Sequence, residues 1–296
     1  MTPQIEGLAS WRGAEADMFT AIPRVQTLSG FADASRALAR AMLELAAADR
    51  VLDALFKDAG RYFAAMWGFA LHEDGGLTLP RLKDVCARSG LLSPGRARAL
   101  LQFLEYFAYV EPRAAPRGPT VYIPTPAYLS AWDRHFMASL AAARLIEPGV
   151  ALLLSDGEEA AETRRAYGHI HAQGLLGGMS AEPPGFSILR VFLHPYAGNH
   201  VVWTLLASGI DTRFPPERAG PVSIAGLARG CGAARSQVAR IFREAEEVGL
   251  ATLQSDGVVL FSDDARQQFR FFYAVQFVQI LAAAARAAEL RALAAA

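Results

Sequence analysis

Two runs of residues in this chain carry groups that bind phosphate and read the edge of a nucleobase. One is Arg235, Ser236 and Gln237, followed by Arg240 and Arg243; the other is Ser93, Arg96, Arg98 and Gln102, with Arg113 and Arg117 some way downstream. Guanidinium groups pair with phosphate oxygens and, in bidentate fashion, with the acceptor edge of guanine. A glutamine amide does the same for adenine, and a serine hydroxyl suits either partner. Such groups act together only when one helix face presents them, so the surrounding elements decide whether this chemistry is available.

Around the first run, 224–231 reads as a short helix, Gly232-Ala233 as a turn and 234–248 as a second helix ended by Gly249, as a glycine just past a helix end should. Val238 and Phe242 hold that second helix on the core, and Ala228 is small where the two helices cross. Arg235, Ser236, Gln237, Arg240 and Arg243 are left facing outward. A strand at 250–253, a tight turn at Ser255-Asp256-Gly257 and a return strand at 258–261 form a hairpin, and Ser262 or Asp263 caps a long final helix. The other run has a similar setting. A helix is expected over 79–89, then a turn at Gly90-Leu91-Leu92, then a helix capped by Ser93 and running to about Tyr106. Strands at 109–111 and 121–123 flank a loop carrying Arg113 and Arg117, and Thr125-Pro126 starts the next helix, to about Ile146. Ala59-Gly60 precedes the helix of Trp67, and Ala197-Gly198 precedes the helix of Trp203, so the order recurs. An internal repeat of this length indicates two copies of one supersecondary unit.

The passage LARGCGAARSQVARIFREAEEVGLATL resembles the winged helix-turn-helix module of MarR-like and GntR-like bacterial regulators. Leu227, Ala228, Gly232, Arg235, Ser236, Val238, Arg240, Phe242, Ala245, Glu246, Gly249 and Leu250 stand in the matching places, and the SDG hairpin matches the wing. The first copy, LKDVCARSGLLSPGRARALLQFLEYFAYVEP, departs more. It has an extra residue in its turn, Cys86 at the small position, Ala97 at the valine position and Tyr106-Phe107-Ala108 at the helix end. The resemblance implies a double-stranded DNA-binding transcriptional regulator whose second helix in each unit enters the major groove. It also leaves room for a small-molecule effector and for a homodimer through the C-terminal helix. The other reading is a tandem winged-helix protein-interaction scaffold without sequence-specific DNA binding.

Charge patterning separates the copies. Lys+Arg and Asp+Glu both number 29, so the chain as a whole is neutral. Within 79–126 seven basic residues face three acidic ones, a net +4, whereas the second unit balances and its hairpin carries Asp256. Neutrality argues against indiscriminate polyanion binding and leaves a local basic face open.

Other residues point to little chemistry. His169 and His171 are two apart, so on a helix they do not face one another and cannot easily share a metal. His194 and His200 flank a Pro-Tyr-Ala-Gly turn, where packing is the simpler role. Cys86 and Cys231 fall at core positions without metal spacing, and a reducing, cytoplasmic setting fits them. No nucleophile elbow, phosphate loop, HExxH or dinucleotide glycine set occurs, so neither an enzyme nor a cofactor is expected. The apolar stretch near 269–285 contains Arg270, Gln276 and Gln279 and reads as a buried or interface helix rather than a membrane span.

The expected architecture is mainly α with small β-hairpin wings: two winged helix-turn-helix domains in an internal repeat, arranged as a pseudo-dimer with flanking helices. The divisions are a loosely packed N-terminal arm (1–30), a first domain (31–150), a linker with a short helix and a Gly/Pro-rich tail (151–186), and a second domain with the long terminal helix (187–296).

Overall fold

Apolar residues at helical spacing dominate the sequence, and the fold follows them: helices with two small antiparallel sheets. The structure, a computed structural model, describes residues 3–178 and 186–294; all but the first two residues of the Gly/Pro-rich tail at 177–185 lie outside the described residues.

The N-terminal segment differs from expectation. It folds into α1 (Pro3–Ala9) and α2 (Met18–Thr27) and buries Leu8, Trp11, Ile22 and Val25. Each large side chain removed from water contributes roughly 1.5–3 kcal/mol, which is enough to dock a segment whose apolar residues lack a clean period. Next come α3 (Phe31–Ala48) and α4 (Arg50–Leu55). Gly30 precedes α3, and no side chain caps that helix.

The first unit runs α5 (Ala59–Glu73), β1 (Leu77–Thr78), α6 (Leu79–Ser89), α7 (Pro94–Tyr106), β2 (Val110–Arg113), β3 (Val121–Pro124) and α8 (Pro126–Ala143). Thr78, Ser93 and Thr125 cap α6, α7 and α8 through their hydroxyls. Gly90 takes the left-handed conformation that ends α6 (φ 69°), where a side chain would be strained. A 3-10 helix (Pro148–Leu153) leads to α9 (Glu158–Gly178), a helix longer than the short one expected in the linker.

The second unit repeats the order: α10 (Gly198–Ala207), β4 (Arg218–Ala219), α11 (Ile224–Gly230), α12 (Arg235–Glu247), β5 (Ala251–Leu253), β6 (Val259–Phe261) and α13 (Asp263–Ala294). The sheets share one topology, β1-β3-β2 and β4-β6-β5, with Val110 opposite Pro124 and Ala251 opposite Phe261. Strands β1 and β4 have two residues each, too short for the alternation that betrays a strand.

The units share a helical core. α3 packs on α8 of the first unit and on α10 of the second, while α13 packs on α9, α2 and α8. By length and hydropathy alone α13 could cross a membrane, but most of that window is buried inside the chain, as the expected buried or interface helix would be. Phe269, Tyr273 and Phe277 are buried in this core, and among the described residues the large exposed apolar side chains of α13 are Leu290 and Leu293, near its end.

Candidate nucleic-acid interface

Helix α12 is held by Val238, Ile241, Phe242 and Ala245, all buried, so its opposite face is left to solvent. Arg235, Ser236, Arg240 and Arg243 are exposed there, and Gln237 is half-buried. Gln237 Nε2 donates to the Tyr196 carbonyl at 3.1 Å, and its Oε1 accepts from Arg240 Nη2 at 2.8 Å. Arg235 and Arg243 make no hydrogen bond or ion pair among the described residues. Ala234 precedes α12 without a side-chain cap, so the first amides of the helix point outward unshielded. The acidic residues lie at the far end, where Glu244 is paired with Arg190 at 2.6 Å.

Helix α7 is held by Ala97, Leu100, Leu101 and Leu104. Ser93, Arg96, Arg98 and Gln102 are exposed. Its N-terminus differs from that of α12 in two ways: Ser93 Oγ accepts from the Arg96 amide at 3.4 Å, and the Arg96 guanidinium is 3.2 Å from the buried carboxylate of Asp58. Arg113 at the end of β2 and Arg117 in the following loop are exposed and make no hydrogen bond or ion pair among the described residues. Of the basic residues in this unit, Arg81 is spent internally, donating to the Leu71, Asp74 and Gly76 carbonyls and closing the end of α5.

Sequence reasoning missed what joins the two helices. Asp58, 1% exposed, caps α5 and also sits 3.5 Å from Arg61. The Arg61 guanidinium lies over the Tyr196 ring, 5.2 Å from its centre. Since Tyr196 accepts from Gln237, a continuous chain of contacts runs from Arg96 through Asp58, Arg61 and Tyr196 to Gln237 and Arg240. The N-terminal ends of α7 and α12 are thus tied to the same short stretch of chain, the start of α5.

A second connection lies beneath it. The buried Lys57 ammonium is 2.6 Å from Asp53 and donates to the Cys231 carbonyl at the end of α11, also at 2.6 Å. His200 Nε2 is 2.9 Å from the same Asp53 oxygen. Burial alone would raise the Asp53 carboxyl, but hydrogen bonds from His200 and Lys57 and the charge of Lys57 hold it below the ordinary aspartate value. The turn between α11 and α12 is thereby fixed to α4. No local pattern marks these residues, because they are far apart in sequence; the one available hint was a lysine at 57 amid apolar positions.

The remaining sites behave as core. Burial raises both thiols, Cys86 to about 11, which disfavours the reactive thiolate. His135 and His171 are buried beside Tyr62 and Tyr167, and burial pushes them down to about 3 and about 4, so both are neutral at physiological pH. His169 turns away to Asp74 at 3.3 Å. Among the described residues no group of three or more His, Cys, Asp or Glu could hold a metal ion. Comparisons with protein families, with characterised proteins and with solved structures find no match to this chain.

Proposed function

We propose that this protein is a double-stranded DNA-binding transcriptional regulator built on two winged helix-turn-helix units. The observation that carries this reading is the α12 surface: Arg235, Ser236, Arg240 and Arg243 exposed around an uncapped helix N-terminus. Unpaired helix amides favour an anion, and the arginines reach phosphates or base edges from the same end. The repeat supports it further, since α7 presents Ser93, Arg98 and Gln102 from an equivalent helix and the hairpin adds Arg113 and Arg117. Both helix starts are linked to the beginning of α5, which ties their positions together. In this reading α12 reads bases and the first unit contributes mainly phosphate contacts.

A protein-binding scaffold is favoured by one observation: Tyr106, at the end of α7, is 83% exposed. Titrating duplex DNA at increasing salt distinguishes the two. A DNA-binding protein loses affinity steeply with salt because it releases counterions from the duplex. A scaffold shows no salt-sensitive binding even at low ionic strength.

A further inference from the structure

A cleft of about 240 Å³ lies between α4 and α7, and none of Ser93, Arg98 and Gln102 lines it. Its apolar lining is Ala54 and Leu55 of α4, Leu92, and Ala99, Leu100 and Phe103 of α7. The Phe103 ring continues onto Phe107, 4.8 Å between centres, and the exposed Tyr106 stands beside Phe107. Small-molecule sites run to roughly 300–1,000 Å³, so this smaller cleft suits one inserted side chain. The second unit has no such surface. α7 and α12 each have 13 residues, and the places of Ala99, Phe103 and Tyr106 in α7 are taken by Arg240, Glu244 and Glu247 in α12. A face that is charged in one copy of the unit is apolar in the other, and a contiguous exposed apolar patch with a polar rim marks a protein contact.

The rim is basic. Arg61 and Arg96 line the cleft, and the Arg50 guanidinium lies 5.7 Å from the centre of the Phe107 ring. Asp58 is buried between Arg61 and Arg96, while Asp49 is paired with Arg134 and Asp53 with Lys57. The three arginines are therefore offset by the single carboxylate of Asp58. The complementary surface stands at the start of α2. Phe19 is 96% exposed, more than any other large apolar side chain among the described residues. Glu15 and Asp17, both exposed, precede it. The arginines on either side in sequence are turned elsewhere, Arg12 to Glu289 and Arg24 over the Trp11 ring.

We propose that these two surfaces bind one another between copies of this chain. Phe19 of one copy enters the α4–α7 cleft of the next, with Glu15 and Asp17 against Arg50, Arg61 and Arg96. Opposite potentials select this pairing and fix its orientation. The contact is head to tail, so each assembly keeps a free cleft at one end and a free Phe19 at the other until a ring closes. It is a different contact from a symmetric dimer through the C-terminal helix. An aromatic anchor buries roughly 150–250 Å², and with its rim it falls short of the roughly 1,200 Å² of a stable complex. The association is accordingly weak and forms at high protein concentration. It does not depend on the proposed DNA binding.

Sedimentation velocity of the full chain over a series of rising concentrations tests this. The parent's average sedimentation coefficient is expected to rise with concentration, and to rise less at high salt, which screens the rim. Phe19→Ser removes the anchor, and Ala99→Glu places a carboxylate in the cleft. Both positions are exposed, so both variants should keep the parent's melting midpoint. Each variant alone should lose association at least tenfold and stay monomeric. Mixed in equal amounts, the two supply one intact cleft and one intact Phe19, and they should form a one-to-one dimer and nothing larger. The proposal is overturned if the parent is monomeric at every concentration, if either variant associates as the parent does, or if the mixture stays monomeric. It is also overturned, in favour of a terminal-helix contact, if Leu293→Ser abolishes association and Phe19→Ser does not. No DNA enters these measurements, so their outcome stands apart from that of the proposed function.

Discussion

The two units have the same element order and the same sheet topology, yet their exposed helices are prepared differently. α7 begins with its amides capped by Ser93 and its arginine held by Asp58, while α12 begins uncapped, with Arg235 and Arg243 unengaged. The hairpins reverse the contrast. The loop after β2 carries Arg113 and Arg117, whereas the turn between β5 and β6 is short and carries Asp256, which accepts from the Val258 amide. Duplication of a fold therefore does not duplicate a surface. Helix ends and loop residues are free to diverge because each helix is held from its opposite face by buried core positions, Ala97 and Leu101 in α7 and Val238 and Phe242 in α12.

The largest expected effect sharpens this difference. Replacing Arg235 and Arg240 together by Ala should weaken duplex binding by about 2–6 kcal/mol, from two lost base or phosphate contacts. The thermal midpoint should stay close to the parent's, because both side chains are exposed. A gel shift and a melting curve on the same sample check both halves; undiminished binding would place the reading helix elsewhere.

Acid should act on both units at once. His135 and His171 lie on α8 and α9, where helices of the two halves meet, and burial depresses them to about 3 and about 4 from 6.5. A histidine depressed in the folded state stabilises the fold above its unfolded value, and that stability is lost as pH falls below 6.5. Between pH 6.5 and 5 the loss is about 2 kcal/mol for each histidine. Denaturant melts at the two pH values should show it as a single transition; two separate transitions would mean the units fold independently.

Much of this contrast was legible in the sequence. The caps at Ser93 and Thr125, the glycine ends at Gly90 and Gly249 and the apolar faces of α7 and α12 are local signals, and they fall where the spacing put them. The packing of residues 3–27 was not legible, because Leu8, Trp11 and Val25 are buried by α13 from the far end of the chain. The same limit hid the Arg96–Asp58–Arg61–Tyr196–Gln237 connection and the Lys57 contact. A residue's own neighbourhood in sequence says nothing of a partner 174 positions away.

Lys57→Met tests how far the second unit depends on the first. Asp53 is partly exposed and keeps its hydrogen bond with His200, so losing the Lys57 ammonium should cost about 1–3 kcal/mol, with the Cys231 carbonyl also losing its donor. Hydrogen exchange should rise first in the α11–α12 turn; loss spread evenly across both units would contradict a local anchor.

The smallest effect concerns the first unit's hairpin. Arg113→Ala with Arg117→Ala should weaken binding to all duplex sequences alike and reduce the salt slope by about 2. A sequence-dependent loss would mean these arginines read bases.

The most direct measurement is selection of bound sequences from a random duplex pool with the unaltered protein, followed by titration of the winner against salt. The proposed function requires an enriched, asymmetric site, since α7 and α12 differ, and an affinity that falls steeply as salt rises. An unenriched pool and no salt-sensitive binding at low ionic strength would contradict it.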